Sequence, residues 1–333
     1  MPPSSAHARP PAAAFSPAPA AGRPELKTPF ERLRLLGDRY VEIIEHWSCK
    51  HEDVMRLSTL TASLVGLADA APEVALGMGG RLGFASPAMQ HAFHVAIVSI
   101  LLGRRLKLGV PALFATAKAA LLMNLPIFEL QDDLAAPLAK PTRGQSITLR
   151  NHPLLAAELV AASPGADLRW IEAIEQHHES LGGSGYPLGL KGDEITQEAR
   201  ILKVADIWCA LTDTRPHRSG LSPREALHCM RARSRPAIDA EVFDALVELM
   251  GAYPPGTLVR LANREVAIVT TMSPAEHPPP RVIAILSPQN HLLREPVLRE
   301  TDKPATAVRG YSLLPQIEIR PGYWNAVWHQ RRP

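Results

Sequence analysis

Cysteine is scarce in this chain: Cys49, Cys209 and Cys229 are the only three among 333 residues, far apart and without a CxxC pair. That argues against a disulfide framework or a thiolate zinc site and fits a reducing, cytoplasmic setting. An excess of either charge is lacking as well. Lys and Arg number 36 against 33 Asp and Glu, a formal net charge of +3, too slight to call for a nucleic-acid polymer or an anionic membrane surface. The N-terminal "MPPSSAHARPPAAAFSPAPAAGRP" has no unbroken apolar core of the signal-peptide kind. No run of about 18 apolar residues follows it, so no membrane insertion is expected. No repeat of solenoid period is visible.

What is present is a 46% hydrophobic chain, enough for a real core. Residues 1–29 are dominated by Ala, Pro and Ser, a composition that cannot offset the entropy of ordering and reads as a disordered tail. Residues 30–86 read as a small helical module, with Leu33, Leu36, Tyr40, Ile43, Ile44 and Trp47 spaced by three and four. Residues 87–250 read as further helices punctuated by Pro111, Pro126, "ASPGAD", "LGGSGYP" and "GLSP". Beyond "GAYPPG", in 251–333, the runs "TLVRL", "VAIVT", "RVIAIL" and "QIEI" are short, rich in β-branched residues and separated by turns. They predict a small C-terminal β appendage on a mainly α protein.

Four of the predicted helices each aim a His or Asp inward. In "DLRWIEAIEQHHES" the apolar positions Trp170, Ile171 and Ile174 put His177 and His178 on the inward stripe. His91 is in register with Val95, Val98 and Leu102, His152 with Leu155 and Leu159, and Asp206 with Leu202 and Ala210. Two adjacent imidazoles are costly to bury unless something accepts their nitrogens, and a carboxylate in an apolar segment is seldom left unpaired. Convergence on a cation satisfies both. Imidazole and carboxylate together suit Fe, Mn, Zn, Co or Ni.

The stretch "HHESLGGSGYPLGLKGDEITQEARILKVADIWCALTDTRPHR" resembles the HD-GYP family, the branch of HD-domain metallohydrolases associated with hydrolysis of cyclic di-GMP. The resemblance implies an HD-domain helical bundle. It implies metal ligands at His91, His152, His177, His178 and Asp206, a loop motif at Gly185, Tyr186 and Pro187, and a supporting role for Glu179. It implies substrate contacts from Tyr186 and from Arg215 and Arg218, whose fixed forks of donors suit phosphates. A divalent metal, iron or manganese foremost, and a cyclic dinucleotide substrate complete the expectation. A signalling protein docking on the GYP loop is a further expected partner.

The family's name-giving pair is missing. Where a segment resembling "AALLHDIGK" is expected, this chain has "AALLMNLPI", so Met123, Asn124 and Ile127 stand at the degenerate positions. A neutral Asn cannot bridge two ions held about 3.5–4 Å apart, and a thioether is a poor ligand for hard ions. The expectation is one ion or none in place of a pair. Two functions follow: a phosphodiesterase with reduced or altered activity, or a non-catalytic scaffold that binds cyclic di-GMP or a protein. Asp132 and Asp133 offer compensating carboxylates, against the blander reading of a solvated helix face.

Overall fold

The computed structural model describes residues 27–136, 139–214, 219–233, 237–272, 279–313 and 319–329. The expected tail through residue 26, Arg215 and Arg218, and all of "QIEI" except Ile319 lie outside the described residues.

Three helices open the chain: α1 (Pro29–Glu45), α2 (His51–Ala70) and α3 (Pro72–Met78). Thr28 starts α1 by accepting from the Glu31 N–H while the Glu31 carboxylate takes the Thr28 N–H, a reciprocal arrangement that satisfies two otherwise orphaned donors. The bundle continues with α4 (Pro87–Arg105), α5 (Val110–Leu122), α6 (Phe128–Leu134), α7 (Arg143–Ala161), α8 (Leu168–Gln176), α9 (Gln197–Thr212), α10 (Pro223–Arg233) and α11 (Ala240–Met250). Helix α4 runs through the middle, packed on α5, α9 and α11. Every residue from Ala92 to Gly103 is buried, which is why its sequence is apolar around the whole circumference rather than along one stripe. The stretch Val110–Leu134 is long and apolar enough to cross a bilayer by length and composition, but most of its apolar window is buried inside the bundle. It is a core element.

The opening helices share the bundle's core. Leu33, Tyr40 and Leu57 belong to the same buried cluster as Phe93, Ile97 and Trp170. The Tyr40 hydroxyl donates to the Leu121 carbonyl at 2.8 Å, tying α1 to the end of α5.

A five-stranded antiparallel sheet follows: β1 (Leu258–Leu261), β2 (Val266–Val269), β3 (Val282–Leu286), β4 (Leu292–Arg299) and β5 (Val308–Tyr311), in the order β4-β3-β2-β1-β5. Alternation along β2 and β3 sends Ile268, Ile283 and Ile285 into the helical core and Ala267, Val269, Val282 and Ala284 into a second small cluster. Both faces are thus buried at the centre, and the sheet caps the bundle. Strands β4 and β5 were not legible: β4 reads "LLREPVLR", its apolar pattern broken by charges and Pro296. A last helix, α12 (Pro321–His329), is also an addition to the expected β region. It packs on α1, where Thr28 donates to Asn325 at 2.6 Å, and on α3, where Trp328 covers Gly77.

Candidate metal centre

Helix α7 brings His152 inward on a face formed with Pro153, Ala156, Ala157 and Val160. Leu155, aligned with His152 by register, is exposed instead. The small side chains face inward because α7 closes tightly on α8, and a leucine would not fit that contact. Helix α8 ends at Gln176, so His177 and His178 sit on the turn just past it rather than within it.

There the three imidazoles meet. Among the described residues, His152, His177 and His178 offer ligand nitrogens all within 4.8 Å of one another. Their protonation is fixed by their partners. The Nδ1 of His152 faces the Leu149 carbonyl at 2.7 Å, and the Nδ1 of His177 faces the Ile174 carbonyl at 2.6 Å. A carbonyl only accepts, so both Nδ1 atoms carry the proton and both Nε2 atoms present bare lone pairs. Those two Nε2 atoms are 3.2 Å apart. Burial keeps all three rings uncharged: it lowers the pKa of His152, pushes that of His177 well below its ordinary value, and lowers that of His178 to about 4. Three neutral donors facing one another are the arrangement a cation resolves.

His91 is chemically the opposite. Its Nε2 lies 2.8 Å from Asp206 Oδ1 and its Nδ1 lies 3.0 Å from Asp213 Oδ2. Carboxylates only accept, so the ring satisfies both neighbours as an imidazolium. Burial alone would lower its pKa, but the hydrogen bonds and charges of Asp206 and Asp213 prevail and raise it to about 9. Burial would likewise raise both carboxyls; the hydrogen bond from His91 instead holds Asp206 far below the usual range, as His94 and His91 do for Asp213. His94 Nδ1 completes the network at 2.7 Å from Asp213 Oδ1. His91 and Asp206 are therefore not in the three-histidine cluster; they pair with each other. Beside the network is a cavity of about 280 Å³, lined in part by Gln90, Gln131, Asp132 and Thr214.

The end of α5 shows what replaced the missing pair. Met123 is fully buried within the hydrophobic core, Asn124 is buried, and Ile127 closes a short 3-10 turn at Leu125–Ile127, also buried. Asp132 accepts from the Ala88 N–H at 2.8 Å, in the first turn of α4; that bond gives it a structural use.

The loop after His178 is held from within. Glu179, 1% exposed, accepts from the N–H groups of Leu188, Gly189 and Leu190 at 2.6, 3.0 and 3.1 Å. Gly182 pairs with Lys191 across the loop base. Gly185 lies so close to the chain at Glu179 and Ser180 that a Cβ there would sit 2.4 Å from the Ser180 nitrogen. This folding-back stacks Tyr186 on His178, with centroids 4.7 Å apart and planes at 25°. Burial raises the Tyr186 hydroxyl to about 12, so it remains a donor. Pro187 follows at the half-buried end of the motif.

Four residues at the site were not singled out by sequence: His94, Asp213, Lys203 and Arg150. Two had a signal. His94 is one turn from His91 in "HAFH", and Asp213 is two turns from Asp206, each on the face of a residue already flagged. Lys203 donates to the His178 carbonyl at 3.2 Å and to Ser180 Oγ at 3.1 Å. The Arg150 guanidinium lies over the Tyr186 ring, 5.3 Å from its centroid.

Comparison with known proteins finds relatives of the helical region. A family model described as HD domain matches residues 85–242. A cyclic di-GMP phosphodiesterase of Pseudomonas aeruginosa is 31% identical over 179 residues, covering 54% of this chain and 43% of that protein. A 3'3'-cGAMP-specific phosphodiesterase of Vibrio cholerae is 44% identical over 78 residues, covering 23% of this chain and 18% of that protein. The chain thus spans less than half the length of these curated relatives. An HDG"Y"P protein from Bdellovibrio bacteriovorus shares the fold, with a TM-score of 0.55 over 67% of this chain and 72% of that one at 18% identity. The helical bundle is an HD domain. With its paired histidines and GYP loop, the chain is similar to proteins of the HD-GYP branch of that domain.

Proposed function

We propose that this chain is a single-metal phosphodiesterase for a cyclic dinucleotide of the cyclic di-GMP type, working at reduced rate, with His152, His177 and His178 as the ligands. The observation that carries the reading is the pair of unprotonated Nε2 atoms 3.2 Å apart, each fixed by a carbonyl behind it. Without a cation the two lone pairs repel in a buried site, so the fold has a reason to bind one. Three imidazoles leave coordination positions open and suit iron or manganese as the family resemblance has it. When bound, such an ion lowers the pKa of water and polarises a phosphoryl oxygen. Tyr186 supplies a neutral hydroxyl donor beside His178, and Glu179 holds it there. The relatives named above as cyclic di-GMP and 3'3'-cGAMP phosphodiesterases support the substrate class.

A second reading is supported by the other half of the site. Met123 is core, and His91 is engaged at both nitrogens, which speaks against a centre built on two ions. That favours a receptor that binds the cyclic dinucleotide without cleaving it. Anaerobic purification, metal quantification and product analysis with cyclic di-GMP separate the two. Linear dinucleotide formed in a chelator-sensitive way supports the phosphodiesterase. Binding without turnover, indifferent to chelator, supports the receptor and overturns the first reading.

A further inference from the structure

Beside the three-histidine cluster, Asp206 is paired with His91 at 2.8 Å. A phosphodiester bound beside these histidines also needs cationic side chains around them, and Lys203 already spends hydrogen bonds on the His178 carbonyl and Ser180. Arg150 differs. It is exposed on α7, two residues before His152, and among the described residues its guanidinium makes no ion pair or hydrogen bond. Other arginines at the surface, such as Arg56, Arg104 and Arg169, each pair with a carboxylate. It lies over the ring of Tyr186, which in turn stacks on His178.

We infer that Arg150 is a phosphate-binding residue of this centre, holding a phosphodiester of the substrate beside Tyr186 and within reach of the histidine cluster. A guanidinium resting over an aromatic ring keeps its in-plane N–H fork free for an anion while losing little side-chain entropy on binding. The surroundings fit a nucleotide rather than a bare anion. Ile147, one turn earlier on the same helix face, and Leu188, two residues beyond Tyr186, are large apolar side chains exposed at 54% and 51%. Such side chains suit the flat faces of bases. The assignment of a cyclic dinucleotide rests on the function proposed above; the anion-binding role of Arg150 rests on the geometry.

The full-length chain, loaded with manganese, is titrated calorimetrically with two probes, cyclic di-GMP and inorganic phosphate, beside R150Q, R150K and the control R143Q. The expected result is about a 10-fold or greater loss of affinity for both probes in R150Q, a partial recovery in R150K, no change in R143Q, and unchanged manganese content in all. Equal affinity of R150Q and the natural chain for both probes would overturn the inference. So would loss of manganese from R150Q, an equal loss of affinity in R143Q, or failure of the natural chain to bind either probe. Phosphate binding that needs Arg150, with no binding of cyclic di-GMP, supports the anion role and removes the cyclic dinucleotide reading. Cyclic di-GMP binding indifferent to R150Q does the reverse.

Discussion

His152 and His177 face each other through unprotonated Nε2 atoms 3.2 Å apart, whereas His91 has a carboxylate at each of its nitrogens. One buried region therefore gathers lone pairs, and the neighbouring one gathers carboxylates around a protonated ring. Under the proposed reading, the three histidines form the half that takes an ion, and in the other half the proton on His91 does the balancing.

Substitution His177→Ala should abolish tight metal binding. Disturbing a mere supporting partner of a ligand costs about 10 to 100-fold in metal affinity, so removing one of three ligands should exceed that. Metal titration of the purified variant against the natural chain checks this, and retention of full affinity would exclude His177 as a ligand.

His91 makes stability pH-dependent in a defined direction. Its folded pKa, about 9, stands above the ordinary value of 6.5. The protonated ring therefore stabilises the fold fully below pH 6.5, and that stabilisation is lost as pH rises through 9. At about 1.4 kcal/mol per pKa unit the loss is on the order of 3 kcal/mol. Urea melts at pH 6 and pH 9.5 should show it in the natural chain and not in His91→Gln.

Glu179→Ala should loosen the GYP loop. Three N–H groups lose their charged acceptor together, at a cost of roughly 2–4 kcal/mol. Limited proteolysis should then cut near Leu188, and a thermal melt should fall with it. Gly185→Ala acts at the same place by another route. Its Cβ would meet backbone rather than a movable side chain, so a loss of roughly 1–3 kcal/mol is expected.

Restoring the family pair by M123H with N124D should not create a second metal site. Met123 is part of the hydrophobic core, so a histidine and a carboxylate are placed among apolar groups at a cost of roughly 2–4 kcal/mol. His91 still offers no lone pair. Metal content should stay unchanged while the melting temperature drops; a gained equivalent of metal would refute this.

The sequence made much of this visible. Inward histidines at helical spacing, the glycine-rich loop and the missing HD pair all pointed to a damaged metal centre. It could not show that His91 and Asp206 would pair with each other, because Asp213 and His94 decide that, and the link between their helices exists only in the fold. The turn past α8 was misplaced onto a helix because helical periodicity carries no mark of where Gln176 ends it. Leu155 was assigned inward because periodicity counts apolar residues and ignores how closely α7 must approach α8. Glu179 looked like a helper near the metal; its use is to hold the loop, through backbone groups that have no signature in sequence.

The most direct test is metal stoichiometry in the natural chain, His91→Gln and His177→Ala, measured by elemental analysis after anaerobic purification. One equivalent is expected in the natural chain, one in His91→Gln and none in His177→Ala. Two equivalents in the natural chain, or loss of the ion from His91→Gln with retention in His177→Ala, would contradict the division of the site into a metal half and a proton half.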